Sequence, residues 1–150
     1  MKFTLTAKQY VDSIMESVSK KYIFRLEHID THQGPYQTKL KDGSKFDLAD
    51  KFPISPRENP APIKDKRLVD NAGGLSELKH FIDNGIFAFE SMQHLRKWFG
   101  SKAIRWMLDD ISEFVIIKKS VPEDTIIYGD SQCIVDAKTW IKATAKTVKF

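Results

Sequence analysis

Apolar and polar residues alternate most regularly in the segment that begins at Tyr22. Tyr22, Phe24 and Leu26 share one side of an extended chain, whereas Arg25 and Glu27 share the other. Because neighbouring side chains of a β-strand point to opposite faces, this alternation predicts a strand. One face of that strand is apolar, and the other carries two opposite charges.

Apolar residues at helical spacing predict four helices in the first two thirds of the chain. The first runs from residue 6 to about residue 19, and the others cover residues 75–83, 92–99 and 102–110. Thr6 and Ser91 are suited to cap two of these helices, since a hydroxyl can accept a hydrogen bond from a free N–H of the first turn. A short apolar strand is predicted at residues 86–89, directly before Ser91.

The last third of the chain is rich in predicted strands. Residues 114–118, 125–128 and 132–135 are apolar or β-branched, and turn residues separate them. After Asp136, apolar residues recur at helical spacing, so we expect a helix that continues to the C-terminus. This order of elements predicts one compact α+β domain over residues 1–150, in which an antiparallel-rich sheet packs with the N-terminal helix and the central helices.

Residues 30–74 lack a regular apolar period. Four prolines between Pro53 and Pro62 and the turn sequence Asp42-Gly43 interrupt this segment. A long segment without secondary structure is uncommon in a compact domain unless it serves a function. We interpret the segment as turns, one hairpin about Asp42-Gly43, and a proline-rich cover over the core.

Composition limits the class of protein. The chain has 150 residues, 41% of them hydrophobic, which is enough for one domain with an apolar core. Its net charge of +4 is mild and dispersed, whereas nucleic-acid binding usually needs a concentrated basic patch, so nucleic acid is not the favoured partner. No signal peptide and no membrane-spanning apolar run is visible, which favours a cytoplasmic protein without a membrane partner.

Metal and thiol chemistry have little support in the sequence. Cys133 is the only cysteine, which excludes an intrachain disulfide, and its apolar neighbours predict a buried structural thiol. The four histidines lack the spacing of a metal site, so no metal is expected. Glycine-rich nucleotide motifs and the nucleophile turn of hydrolases are absent.

Arg25 and Glu27 are the first candidates for a functional site. Side chains two residues apart on a strand project in parallel, so the guanidinium and the carboxylate can line one cleft. A solvent-exposed ion pair on the outer face of a sheet explains the same pattern. On the pattern alone, the exposed ion pair is the favoured interpretation.

Four further residues are candidates for ligand contact. Tyr36 follows a Gly-Pro turn and can cover a ligand ring or anchor its own loop. Glu90 and Ser91 lie where a strand passes into a helix, which suits either a phosphate site or simple capping by the serine. Gln132 ends the polar run Asp130-Ser131-Gln132, which indicates either a binding site or a turn.

Four short motifs occur in a fixed order between about residues 22 and 136: Phe24 to His28, Gly34 to Tyr36, Phe87 to Trp98-Phe99, and Gln132. In this order they resemble a group of small bacteriophage proteins. Membership would imply a phage origin and the cytoplasm of an infected cell, and it implies no particular reaction.

More distantly, the chain resembles the ADP-ribosyltransferase fold, which has an early-strand Arg, a mid-chain Ser and a late-strand Glu or Gln. Arg25, Ser91 and Gln132 occur in that order. The resemblance implies that Arg25 holds the phosphates or ribose of NAD, Ser91 supports the nicotinamide side, and Gln132 orients the ribose. The usual Ser-Thr-Ser pattern is missing and Gln132 replaces the common glutamate, and both departures bear on catalysis more than on binding.

Two functional hypotheses follow. The first is a phage nucleotide-handling protein that binds NAD or an ADP-ribose-like ligand, for transfer or for binding alone, with Gln132 and Glu27 as the candidate catalytic residues. The second is a non-enzymatic phage protein that inhibits or sequesters a host protein or a defence-signalling nucleotide. We predict that Arg25, Glu27 and Gln132 lie on neighbouring strands and face a common cleft. The sequence does not determine the oligomeric state.

Overall fold

Antiparallel strands and short helices alternate along the chain in the computed structural model, which describes residues 19–150. The elements are, in order, β1 (Lys20–His28), β2 (Thr38–Lys39), β3 (Lys45–Phe46), α1 (Lys66–Ala72), α2 (Leu75–Asn84), β4 (Gly85–Ala88), α3 (Met92–Phe99), α4 (Ser101–Arg105), β5 (Phe114–Pro122), β6 (Ile126–Tyr128), β7 (Cys133–Asp136), α5 (Ala137–Lys142) and β8 (Ala145–Thr147). Three short 3₁₀ turns and one π-helical turn, Trp106–Ile111, connect them.

The strands form two main antiparallel sheets that meet at one point. β5 lies between β1 and β8 in the first sheet, and β7 lies between β4 and β6 in the second. Phe24 of β1 and Phe89, just after β4, exchange two main-chain hydrogen bonds of 2.8 and 2.7 Å. This single bridge places the two sheets side by side, with β1 next to β4.

Both faces of the first sheet are covered. Leu26 and Phe114 pack on one face against the helices α3 and α4 and the hairpin of β2 and β3. Ile23 and Ile117 pack on the other face against β7 and Trp140 of α5. The charged pair Arg25 and Glu27 therefore shares a face with buried apolar residues, because side chains alternate along β1.

The predicted α+β class with an antiparallel-rich sheet is confirmed. The central helices lie close to their predicted bounds, and α3 has the bounds that the sequence predicted. The predicted N-terminal helix, from residue 6 to about residue 19, falls on residues that precede the described part of the chain. The segment at residues 30–74 does contain the hairpin about Asp42-Gly43, but it also contains α1, which we did not predict.

The C-terminal helix is shorter than its apolar spacing predicted. α5 ends at Lys142, and the chain then forms β8, which pairs with β5. Pairing at the edge of β5 satisfies main-chain groups that a continued helix would leave without partners; for example, Val148 N–H donates to the Ile116 carbonyl at 2.8 Å.

Candidate functional site

A cavity of about 570 Å³ opens where β1 and β4 separate beyond the Phe24–Phe89 bridge. Residues from the two strands, from the proline-rich segment, from α3 and from the start of β7 form its walls. The lining residues are Arg25, Leu26, Gly34, Pro35, Tyr36, Ile54, Asn59, Pro60, Ala61, Pro62, Gly85, Ile86, Phe87, Phe89, Trp98, Phe99 and Gln132. Its volume is in the range of small-molecule sites, roughly 300–1,000 Å³.

Arg25 bridges the gap between the two separating strands. One terminal nitrogen, Nη1, donates to the Phe87 carbonyl of β4, and Nε donates to the Glu27 carboxylate at 3.2 Å. The other terminal nitrogen makes a long contact of 3.5 Å with the His32 carbonyl. The guanidinium thus replaces the main-chain bond that a continued ladder of β1 and β4 would form.

Arg25 keeps donors for a ligand. Arginine has five N–H groups, and the bonds of Arg25 to residues between 19 and 150 use three of them, one on each nitrogen. One N–H on each terminal nitrogen remains, and the side chain lines the cavity. Burial lowers the pKa of Arg25 from its ordinary value, against the opposing effect of Glu27, but arginine stays protonated in proteins.

A cluster of aromatic side chains, here called the aromatic wall, lines the cavity: Tyr36, Phe89, Trp98 and Phe99. Tyr36 stacks on Phe99 with ring centroids 6.2 Å apart, and its hydroxyl accepts a hydrogen bond of 3.3 Å from Trp98 Nε1. Phe89 contacts both Trp98 and Phe99. Burial raises the pKa of Tyr36 from its ordinary value, so its hydroxyl stays protonated. The tyrosine both anchors its loop and contributes to the cavity wall.

Gln132 reaches the cavity because a buried carboxylate holds the preceding turn. Asp65, the N-cap residue of α1, accepts hydrogen bonds from the main-chain N–H groups of Asp130 and Ser131 at 2.9 and 3.2 Å. Gly129 fits against it, where a Cβ would lie 2.6 Å from Asp65 Oδ2. The end of the proline-rich segment therefore positions Gln132.

Glu27 lies behind the cavity rather than in its wall. Its side chain is 5% exposed, and its carboxylate accepts hydrogen bonds from Arg25 and from His32 Nδ1, the latter at 3.2 Å. The interpretation of Arg25 and Glu27 as a solvent-exposed pair is wrong, because both side chains are largely buried. Within the described chain, Glu27 is linked to the cavity wall through its hydrogen bond with Arg25.

Arg25 and Gln132 line the same cavity but not from neighbouring strands. β4 lies between β1 and β7. Cys133, at the start of β7, packs with Ile23 on the face that Arg25 shares, so Gln132, one residue earlier, belongs to the other face. Both side chains nevertheless line the cavity, and so do Arg25 and Leu26, which point to opposite faces of β1; the gap between β1 and β4 is therefore open to both faces. The predicted arrangement on neighbouring strands is therefore wrong.

Glu90 and Ser91 lie outside the described cavity wall. Ser91 Oγ accepts the His94 N–H at 3.1 Å and caps α3, as the simpler interpretation predicted. Glu90 forms ion pairs with Lys21 and Arg67 at 3.6 and 3.3 Å. These contacts explain both residues without a ligand.

Several lining residues were not identified from the sequence. Asn59 is one of them: its Nδ2 donates to the Trp98 carbonyl at 2.7 Å and so holds the proline-rich segment against α3. The only signal in the sequence was the proline spacing, which predicted a cover over the core but not which residues it contacts.

Three findings describe what the residues between 19 and 150 do not offer. Between residues 19 and 150, no group of three or more His, Cys, Asp or Glu side chains is arranged to hold a metal ion. In the same range, no helix combines the length and the apolar character needed to cross a membrane. Burial raises the pKa of Cys133 to about 12, which makes it a structural thiol.

The fold and the cavity define a class: a single α+β domain with an aromatic cleft between two antiparallel sheets. Residues 15–149 match the family described as Bacteriophage T4 Y00F protein, and the chain belongs to that family. No curated protein and no solved structure matches the chain. The phage resemblance is thereby confirmed, whereas no comparison supports the resemblance to the ADP-ribosyltransferase fold.

Proposed function

We propose that this phage protein binds a nucleotide-type ligand in the cleft between β1 and β4 and acts by sequestering it. One observation carries the proposal. Arg25, Tyr36 and Gln132, which are far apart in the sequence, line one cavity of about 570 Å³ together with a cluster of aromatic rings. An apolar cavity with a few convergent polar groups is the usual form of a small-molecule site.

The aromatic wall suits a base. Tyr36, Trp98 and Phe99 offer ring faces or edges, and stacking of a base on an aromatic side chain contributes about 1–3 kcal/mol. The Tyr36 hydroxyl and the Gln132 amide add polar groups to the cavity lining, and an amide can both donate and accept hydrogen bonds. A planar heterocycle fits this combination better than an aliphatic ligand does.

A phosphate group suits the remaining donors of Arg25. One free N–H on each terminal nitrogen can form charge-assisted hydrogen bonds to phosphate oxygens. The buried Glu27 carboxylate offsets part of the guanidinium charge, so a ligand with few phosphates is favoured over a highly charged one.

Binding alone is favoured over ADP-ribosyl transfer. None of the described lining residues is an aspartate or a glutamate, so the cavity wall lacks a carboxylate to act as general base. Gln132 cannot take that role, because an amide does not accept a proton at neutral pH. The transferase version of the hypothesis would need Glu27 to leave its contacts with Arg25 and His32.

A phage protein of this kind would act on a nucleotide of the host. A small binding domain that is made in quantity lowers the free concentration of its ligand by mass action. Host signalling nucleotides of antiviral defence belong to the ligand class that the cavity favours. NAD and ADP-ribose remain within that class.

Trp98 allows a direct test. Titration calorimetry with NAD, ADP-ribose, AMP and cyclic nucleotides should find at least one ligand that also changes the fluorescence of Trp98. Trp98→Phe should remove that signal and weaken binding, whereas Trp106→Phe, which packs against Phe46 outside the cavity wall, should leave the affinity unchanged. If the wild-type protein binds none of these ligands, the proposal fails, and the alternative, a phage protein that acts on a host protein, takes its place.

A further inference from the structure

Leu26 has main-chain groups that face the cavity. In an antiparallel pair, the N–H and C=O of alternate residues point to opposite sides of a strand. Phe24 directs both groups toward Phe89, and His28 directs its N–H toward the Gln33 carbonyl at 2.8 Å, so both point away from β5. Leu26 lies between them, and its N–H and C=O must therefore also point away from β5, toward the gap.

Phe87 has the matching position on β4. Its carbonyl points toward β1, where Arg25 binds it, and its N–H points the same way. In a continued ladder, Leu26 and Phe87 would be direct partners, two residues on from the Phe24–Phe89 bridge. No main-chain hydrogen bond joins them among the described residues, and both line the cavity.

The main-chain N–H and C=O groups of an open strand edge inside a cavity need hydrogen-bond partners. Buried main-chain groups are nearly always hydrogen-bonded, to protein, to water or to a ligand. As far as the described residues go, the gap offers two donors, from Leu26 and Phe87, and one acceptor, the Leu26 carbonyl. The N–H and C=O of one extended residue lie side by side, so they match a ligand edge on which a donor stands next to an acceptor.

A purine base has such an edge. In adenine, the 6-amino group is a donor and stands between the ring acceptors N1 and N7. Its flat ring would enter the gap between the strands, next to Phe89 and Trp98 of the aromatic wall. We propose that the open strand edge at Leu26 and Phe87 binds the hydrogen-bonding edge of a purine base. This inference rests on the proposed nucleotide binding and adds which part of the ligand the main chain contacts.

The test changes the ligand rather than the main chain, because a proline at the buried Leu26 would disrupt β1. AMP is compared with purine riboside 5′-monophosphate, which lacks the amino group, and with N6,N6-dimethyl-AMP, in which the donor is blocked. We expect both analogues to bind about tenfold more weakly than AMP or worse, since each leaves a buried carbonyl without its donor.

A second measurement locates the contact. Protein labelled with 15N at leucine and phenylalanine should show shifts of the Leu26 and Phe87 amide resonances when AMP is added. The amide of Leu78 in α2, which donates to the Gly74 carbonyl at 2.9 Å and lies outside the cavity lining, is the control and should not move. Equal affinity for all three ligands, or an unmoved Leu26 resonance in the AMP-bound protein, would overturn this inference and leave nucleotide binding intact. Failure of every nucleotide to bind would overturn the proposed function and this inference together.

Discussion

Replacing Arg25 with lysine tests the role that the structure gives to its guanidinium. Lysine keeps the charge, but a single ammonium nitrogen cannot bind Glu27 and the Phe87 carbonyl in the geometry of the planar fork. At least one buried acceptor then loses its donor, which costs about 1–3 kcal/mol of unfolding free energy. Because the unfolding free energy of a natural domain is usually about 5–15 kcal/mol, the variant should still fold.

The same change should weaken nucleotide binding. Loss of a charge-assisted contact to phosphate costs roughly 1.5–3 kcal/mol, which corresponds to about ten- to a hundredfold in affinity. Urea denaturation followed by circular dichroism measures the stability, and calorimetry measures the affinity. Arg57→Lys, at an exposed arginine of the proline-rich segment, is the control and should change neither.

Two results would refute this reasoning. If Arg25→Lys unfolds at the urea concentration of the wild type, the bonds to Glu27 and Phe87 do not stabilise the separated strands. If the variant is destabilised as expected but binds a nucleotide as tightly as the wild type, Arg25 is a structural bridge and the phosphate lies elsewhere.

Three further predictions follow from the structure. Gly129→Ala should lower the unfolding free energy by about 1–3 kcal/mol, because its Cβ would lie 2.5 Å from the Gln132 carbonyl oxygen. The control is Gly34→Ala, whose Cβ would make only an ordinary contact of 3.7 Å with Arg25 Nη2. This control should not destabilise the protein in the same urea titration. Cys133 should stay unreactive toward a thiol reagent such as Ellman's reagent until urea unfolds the protein, since burial raises the pKa of its thiol to about 12; rapid reaction of the native protein would contradict this. A hydrogen bond from His28 and one from a main-chain N–H lower the pKa of Glu113 below its ordinary value of 4.5. The stability that Glu113 contributes is therefore present above that value and is lost as the pH falls through the folded-state pKa. Glu113→Gln should be less stable than the wild type at neutral pH. In urea titrations, this difference in unfolding free energy should shrink between about pH 5 and pH 3.

Local pattern was sufficient where one short-range signal dominated. The strand at Tyr22 was predicted because its alternation is strict, and α3 was predicted with its observed bounds because Ser91 supplies a cap that the structure confirms. The buried thiol of Cys133 followed from its apolar neighbours. Each of these features depends on residues within a few positions of one another, which is why the sequence alone could reveal them.

Local pattern failed where a distant strand competed with it. The last residues have the spacing of a helix, yet β8 forms because the edge of β5 offers main-chain partners, and Lys146 of β8 donates to the Tyr22 hydroxyl at 3.0 Å. Lys119, a charged residue just beyond the predicted strand, lies within β5, which continues in register with β1, and its ammonium donates to the buried Trp140 carbonyl at 2.7 Å. Neither partner is near in sequence.

The sequence by itself determined the α+β class, most elements and a set of candidate residues that includes Arg25, Tyr36 and Gln132. Only the tertiary structure decided that these three line one cavity and that Glu27, Glu90 and Ser91 do not. The cavity exists because β1 and β4 pair at a single bridge and then separate, and because distant segments close the gap. That geometry depends on contacts between residues far apart in the chain, and no local period or propensity carries information about them.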